Sequence, residues 1–252
     1  MDEYLYKLSK FFPLYDFEVS EYFKKLSNTI NINYENNEYQ FSYIGVHLLL
    51  MTYLYFIVWQ ISKMSNKMYE LTALFARPFN GSEINFDGIE SIFDFKDLPE
   101  KEVINFLYLI GFDKSYLTIL KKQIEIRNAM AHASGTYDIL EEEPFKIAVD
   151  NVISIFEKCH KNICDNLLLK EYSNQLYIIS HNKIDNDSIS EFVENNLITE
   201  LSLSYTEISY IMNLGKNKVC SVMEGLSAKE YVIIKKAHLL VQKVCVERYL
   251  EQ

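Results

Sequence analysis

The chain has 252 residues, 49% of them apolar, enough to bury a full hydrophobic core and too many for a disordered chain. A formal net charge of −10 excludes generic coating of polyanions and leaves nucleic-acid contact to a local basic patch. Seven Gly and four Pro against 19 Tyr and 16 Phe imply long uninterrupted elements, read as helices.

Residues 1–30 carry two short helical patterns around Pro13, and NINYENNEY at 31–39 reads as a polar Asn-rich loop. A long helical pattern follows from about Phe41 to Phe75, before Arg77-Pro78. From Tyr39 to Ser62 it holds no Asp, Glu, Lys or Arg, so its length passes the screen for a membrane span. Tyrosines at its centre, with His47, Thr52 and Gln60, favour a core helix surrounded by other helices. The N-terminus MDEYLYKLSK has no basic start followed by an apolar run, and none of Cys159, Cys164, Cys220 and Cys245 forms a CxxC pair. The expectation is a cytoplasmic protein outside the membrane.

Asn80-Gly81 and Asp87-Gly88 mark a loop ending near Pro99, and Lys101 to Phe112 reads as a short helix. Ser115 is the expected N-cap of the next helix, which runs to His132, with Gly135 as its C′ residue. The acidic run Glu141–Glu143 and Pro144 open a further helix reaching about Leu169. Around 172–187 the run YSNQLYIISHNKIDND holds a short β-like stretch and a polar cluster, taken as a domain boundary. The expected division is an N-terminal helical segment at 1–38, a helical bundle at 39–171 and a C-terminal module at 188–252. The expected fold class is mostly α.

Chemistry concentrates in IEIRNAMAHASG, residues 124–135. Asn128 and His132 are four apart and stack on one helix face. Arg127 lies about 100° around the axis, and its long side chain reaches the same edge. Ile124, Ile126, Ala129, Met130 and Ala131 are expected to supply the buried remainder. His titrates near neutral pH and can act as base or acid, and Arg offers a charged fork for phosphoryl oxygens. Asn can orient the imidazole or the substrate. This set suits attack of an RNA 2′-hydroxyl on the adjacent phosphorus and requires no metal or cofactor. One His cannot serve as both base and acid, so two such helices in a dimer would complete the site. Lys121 and Lys122 could extend a phosphate-binding strip. The bland alternative is a surface ion pair at Arg127 and a helix-terminal cation at His132.

The stretch RNAMAH at 127–132 resembles the R-polar-xxx-H signature of the HEPN superfamily, an all-helical group rich in ribonucleases of toxin–antitoxin, CRISPR and phage-defence systems. The resemblance implies a helical bundle at about 39–170 that forms a homodimer along the motif helix. It also implies a composite, metal-independent endoribonuclease site from Arg127, Asn128 and His132, held in check by a partner, ligand or nucleic-acid trigger. HEPN-like domains without nuclease activity also exist.

Residues 205–226 have the apolar spacing of a helix-turn-helix, with Ile208, Met212, Val219 and Val222 facing inward and Leu214 plugging the turn. The second helix would expose Lys216, Asn217, Lys218 and Ser221 to phosphates and base edges. EYVIIKKAHLLVQKVCV at 230–246 could form the β-hairpin of a winged helix, with Lys235, Lys236 and His238 in or near its tip. The competing reading there is a turn followed by a long helix. Residues 200–252 hold seven basic against six acidic residues, no strong basic patch. The alternative function is a regulatory nucleic-acid-binding protein whose bundle serves only as a dimerisation scaffold.

Other signals are weaker. In CHKNIC (159–164) only His160 and Cys164 share a face, too few ligands for a metal. His47 reads as a core histidine, and as a supporting residue if its helix packs beside the motif. His181 looks like a loop-edge residue. No P-loop, GxGxxG, GxSxG or HExxH is present.

Overall fold

The structure, a computed structural model, describes residues 1–65, 69–70, 88–131, 141–181 and 185–250. Among these residues every regular element is helical, and the chain divides into two units, 1–161 and 162–252.

Unit 1 begins with α1 (Asp2–Ser9) and α2 (Phe17–Glu35), the latter capped by Asp16, whose carboxylate accepts from the Val19 amide at 3.0 Å. The Asn-rich stretch extends α2 to Glu35 instead of forming a loop over 31–39. The side chains of Asn33 and Asn36 donate to carbonyls four residues back, at 2.8 Å each, in register with the helix. Asn37, at φ 61°, makes the left-handed turn that ends it.

Helix α3 (Tyr39–Met64) is the core of the unit. It ends at Met64, short of the expected Phe75, because Ser65 leaves the helical region at φ −149°, ψ 59°. Tyr69 and Glu70 are helical again; Arg77-Pro78, Asn80-Gly81 and Asp87 lie outside the described residues. Most of the helix is buried, His47, Thr52 and Gln60 included, and one stripe through Phe41, Leu48 and Lys63 is exposed. At Gly45 it meets α2 closely: a Cβ there would stand 2.5 Å from Ile30 Cγ1. Tyr53 stacks on Phe156 with centroids 3.9 Å apart and donates its hydroxyl to the Phe156 carbonyl at 3.2 Å.

The stretch before Pro99 is not all loop. Residues Ile92–Asp97 form a 3-10 turn closed by a capping box between Ser91 and Asp94. Helix α4 (Glu100–Phe106) follows, then a 3-10 turn (Leu107–Ile110) ended by Gly111 at φ 90°. The motif helix, α5 (Lys114–Ala131), is capped by Asp113 and not Ser115: the Asp113 carboxylate accepts from the Tyr116 amide at 2.8 Å. Its buried stripe is Leu117, Leu120 and Ile124. Past Ile124 that stripe gives out. Ile126, Ala129 and Ala131 are exposed and Met130 is half-buried, against the expectation that they line the core. Helix α6 (Glu142–Ile163) carries Pro144 in its first turn, as anticipated.

Unit 2 starts in the last residues of α6. A π-turn (Cys164–Leu168) leads directly into α7 (Leu169–Ser180). The β-like stretch near 172 is therefore helical. Tyr172, Ser173, Leu176 and Ser180 are its buried residues, a helical spacing. Next come α8 (Asn186–Glu191), a π-helical stretch (Phe192–Glu200), α9 (Tyr205–Asn213) and α10 (Lys216–Ser221). The last helix, α11 (Ala228–Cys245), stands where a wing could have formed, and the long-helix reading holds. Its buried Ile234, Ala237, His238, Val241, Val244 and Cys245 keep helical spacing, and Ser227 with Glu230 forms a capping box at its start.

Candidate functional site

The motif helix is fixed to α3 by two polar contacts. Tyr43 donates to the Gln123 side chain at 2.9 Å, and the Gln40 amide donates to the Met130 carbonyl at 2.9 Å. These contacts set the height at which Arg127 meets α3.

Arg127 is part of a three-residue cluster. Its Nη2 donates to Oε1 of Glu100, the first residue of α4, and the same oxygen lies 3.4 Å from Nε2 of His47 on α3. Side-chain exposure falls from 26% at Arg127 to 19% at Glu100 and 1% at His47, so the cluster runs from the surface into the core. Burial pushes the Glu100 carboxyl up. The hydrogen bonds from His47 and Arg127, with their charges, outweigh it and hold the group below the ordinary carboxylate value. Tyr55, two turns beyond His47, has its phenol pushed up to about 12, by burial first and then by the charge of Glu100.

Two buried atoms of the cluster, Glu100 Oε2 and His47 Nδ1, have no hydrogen-bond partner among the described residues. Each such atom costs roughly 1–3 kcal/mol. His47 was legible as a residue that a neighbouring motif helix could recruit. Glu100 was not. A Glu following Pro at a helix start reads as a first-turn residue favoured by the helix dipole, and only tertiary packing puts it under Arg127.

Of the other motif residues, Asn128 is half-buried, and His132 and Gly135 lie outside the described residues. Lys121 donates to the Asn105 side chain at 2.9 Å, while Lys122 is exposed. Among the described residues no group of three His, Cys, Asp or Glu is placed to hold a metal ion, and all four cysteines are buried.

In unit 2, α9 and α10 place Ile208, Ile211, Leu214, Val219 and Cys220 in the interior. Val222 is 40% exposed, contrary to expectation, because α10 ends at Ser221 and Val222 caps it; Cys220 fills the inward position. Met212 is half-buried, and Ile211 takes its inward place. Lys216, Asn217, Lys218 and Ser221 are exposed. Three of them already have partners: Lys218 stands 3.4 Å from Asp165, Asn217 accepts from Tyr231 at 3.0 Å, and the Ser221 hydroxyl donates to the Lys218 carbonyl at 2.8 Å. Lys235 lies over the Tyr231 ring at 4.0 Å, and Lys236 is exposed on α11. His238 is fully buried inside α11 and not at a loop edge. His181 caps the end of α7, exposed and 3.5 Å from Glu230.

Comparison with protein-family models, curated proteins and solved structures finds no match for the chain.

Proposed function

We propose that unit 1 is a HEPN-type bundle that acts as a metal-independent endoribonuclease, a regulated toxin or phage-defence effector working as a homodimer. The observation that carries this reading is Arg127, half-buried on the motif helix and tethered by Glu100, with only Nη2 engaged among the described residues. A guanidinium has five N–H donors, so Nε and Nη1 remain for phosphoryl oxygens. The exposed Ile119, Ile126 and Ala129 share one face of α5 and support a second motif helix packing there.

In the reaction, His132 of one protomer takes the proton of the RNA 2′-hydroxyl as its oxygen bonds phosphorus. Arg127 holds the phosphoryl oxygens and Asn128 orients the imidazole or the substrate. The bond from phosphorus to the 5′-oxygen breaks, and His132 of the other protomer, protonated, gives that oxygen its proton. The products are a 2′,3′-cyclic phosphate and a 5′-hydroxyl. An activity of this kind needs control by a partner, ligand or nucleic-acid trigger.

The test is RNA cleavage in EDTA by the wild type, Arg127→Ala and His132→Ala, with analysis of the product ends. Cyclic phosphate ends from the wild type, absent with both variants, are the expected result. Cleavage by His132→Ala at the wild-type rate would remove the basis of the proposal.

A second reading, a nucleic-acid-binding regulator with a non-catalytic bundle, draws on the exposed Lys216, Asn217 and Ser221 of α10. It expects salt-sensitive DNA binding that depends on Lys216 and Lys218 and is indifferent to His132.

A further inference from the structure

We infer that Glu100 is a positioning residue that sets Arg127 for contact with an anionic phosphodiester, with the buried His47 as its anchor. This rests on the reading of Arg127 as a phosphate contact. One oxygen, Glu100 Oε1, takes both the guanidinium Nη2 and the imidazole Nε2. The imidazole is 1% exposed and belongs to the core helix, so it is a fixed point. The carboxylate is tied to that point and the guanidinium to the carboxylate. A free arginine loses much rotamer freedom when it grips a phosphate; one already held loses less, and affinity rises.

A pair kept for folding alone would be expected to settle its polar atoms. Here Glu100 Oε2 and His47 Nδ1 are buried without partners among the described residues. Buried orphans of this kind are rare, and each calls for an explanation. Asn105, further along α4, accepts from Lys121, and Arg127 is the cation that Glu100 holds.

The experiment measures binding of a single-stranded DNA oligonucleotide, which lacks the 2′-hydroxyl and is not cut, by fluorescence anisotropy at low salt. The full chain is compared with Arg127→Ala, Glu100→Ala, Glu100→Gln, Glu100→Asp and the double variant Glu100→Ala/Arg127→Ala. Glu100→Ala is expected to weaken binding about tenfold, the same order as Arg127→Ala, and the double variant to bind no worse than Arg127→Ala alone. Glu100→Gln keeps an oxygen that accepts both donors and should stay within about threefold of the wild type. Glu100→Asp keeps the charge but shortens the reach, and should weaken binding.

A purely structural role would lower the melting temperature and leave the DNA affinity of the folded protein unchanged, which the Asp and Gln variants test if the Ala variant folds poorly. Binding by Glu100→Ala at or above the wild-type affinity, with Arg127→Ala weakened, overturns this inference alone: the carboxylate would then be idle or a competitor for Arg127. Unchanged binding by Arg127→Ala overturns the phosphate-contact reading and the inference with it.

Discussion

A buried imidazole has two nitrogens to settle, and His238 settles both. Its Nδ1 lies 2.7 Å from the Tyr172 hydroxyl and its Nε2 lies 3.1 Å from the Leu214 carbonyl. The neutral ring fits this pair: Nε2–H donates to the carbonyl and Nδ1 accepts from the phenol. Burial pushes the His238 pKa down, with Lys216 adding to the shift, while the bond to Leu214 opposes it. The unfolded chain therefore takes up a proton near pH 6.5 before the folded one does. The contribution of His238 to stability is full above that pH and is lost as the pH falls below it. Thermal unfolding followed from pH 7.5 to 5.5 should show a falling Tm, and His238→Gln should flatten that slope; an equal slope in the variant would assign the effect elsewhere. Tyr172→Phe removes the donor and should cost about 1–2 kcal/mol at neutral pH, readable by denaturant unfolding. At this scale the sequence was partly legible. His47 was legible as a core position that could lie beside the motif helix. Glu100 was hidden because its partners come from helices far away in the chain, and a carboxylate after proline already has a local reason to be there. His238 was misplaced because the surrounding run of Val, Ile and Leu imitates a strand while its buried positions keep helical spacing.

Elements were more legible than side-chain partners. The scarcity of Gly and Pro foretold long helices, but the expected N-cap Ser115 lies two residues late, because the Asp113 carboxylate takes the Tyr116 amide and opens α5. The errors fell where two local rules compete. Asparagines favour loops, yet in α2 they bond back to the helix; β-branched runs favour strands, yet in α7 and α11 their spacing lines one helix face. The ending of α3 at Ser65 carries no Gly or Pro to announce it. Gly45 has a meaning only the packed pair reveals. It sits in mid-helix, where glycine weakens a helix by roughly 1 kcal/mol relative to Ala. Alanine would recover that propensity, but its Cβ would meet Ile30 Cγ1 at 2.5 Å, and Ile30 is fully buried with no room to retreat. Overpacking of this kind costs about 1–3 kcal/mol, so the clash prevails over the gain in propensity. Gly45→Ala should therefore lower Tm by several degrees, and Ile30→Val in the same chain should recover part of the loss. A Tm at or above the wild type in Gly45→Ala would mean that α2 and α3 separate without penalty.

For the whole molecule the question is what solvates α3. By length and composition this helix could cross a membrane: its most apolar 18-residue window has a mean hydropathy of 1.7. In unit 1, however, 78% of that window is already buried by the protein. A lipid-facing span needs an outward apolar surface, and α3 has little to offer. Phe41 and Leu48 are its exposed large apolar residues, and Phe41 lies in its first turn. Several of its polar groups bond inside the unit: Ser42 donates to the Ile30 carbonyl at 3.0 Å, Tyr43 to Gln123, and His47 Nε2 to Glu100. A helix buried over most of its surface gains little further from lipid, since most of its apolar area has already left water. The net charge of −10 adds mutual repulsion that favours dispersed molecules in water and opposes approach to anionic membranes. The expected outcome is that the full chain, expressed alone, stays in the supernatant after high-speed centrifugation without detergent and unfolds cooperatively there. Replacing Leu50, which is 2% exposed, by Asp should then abolish folding, because a charge would enter a dry core with no partner. Recovery of the wild type only from a detergent extract would place α3 in lipid and show that the packing around it is rearranged in the membrane.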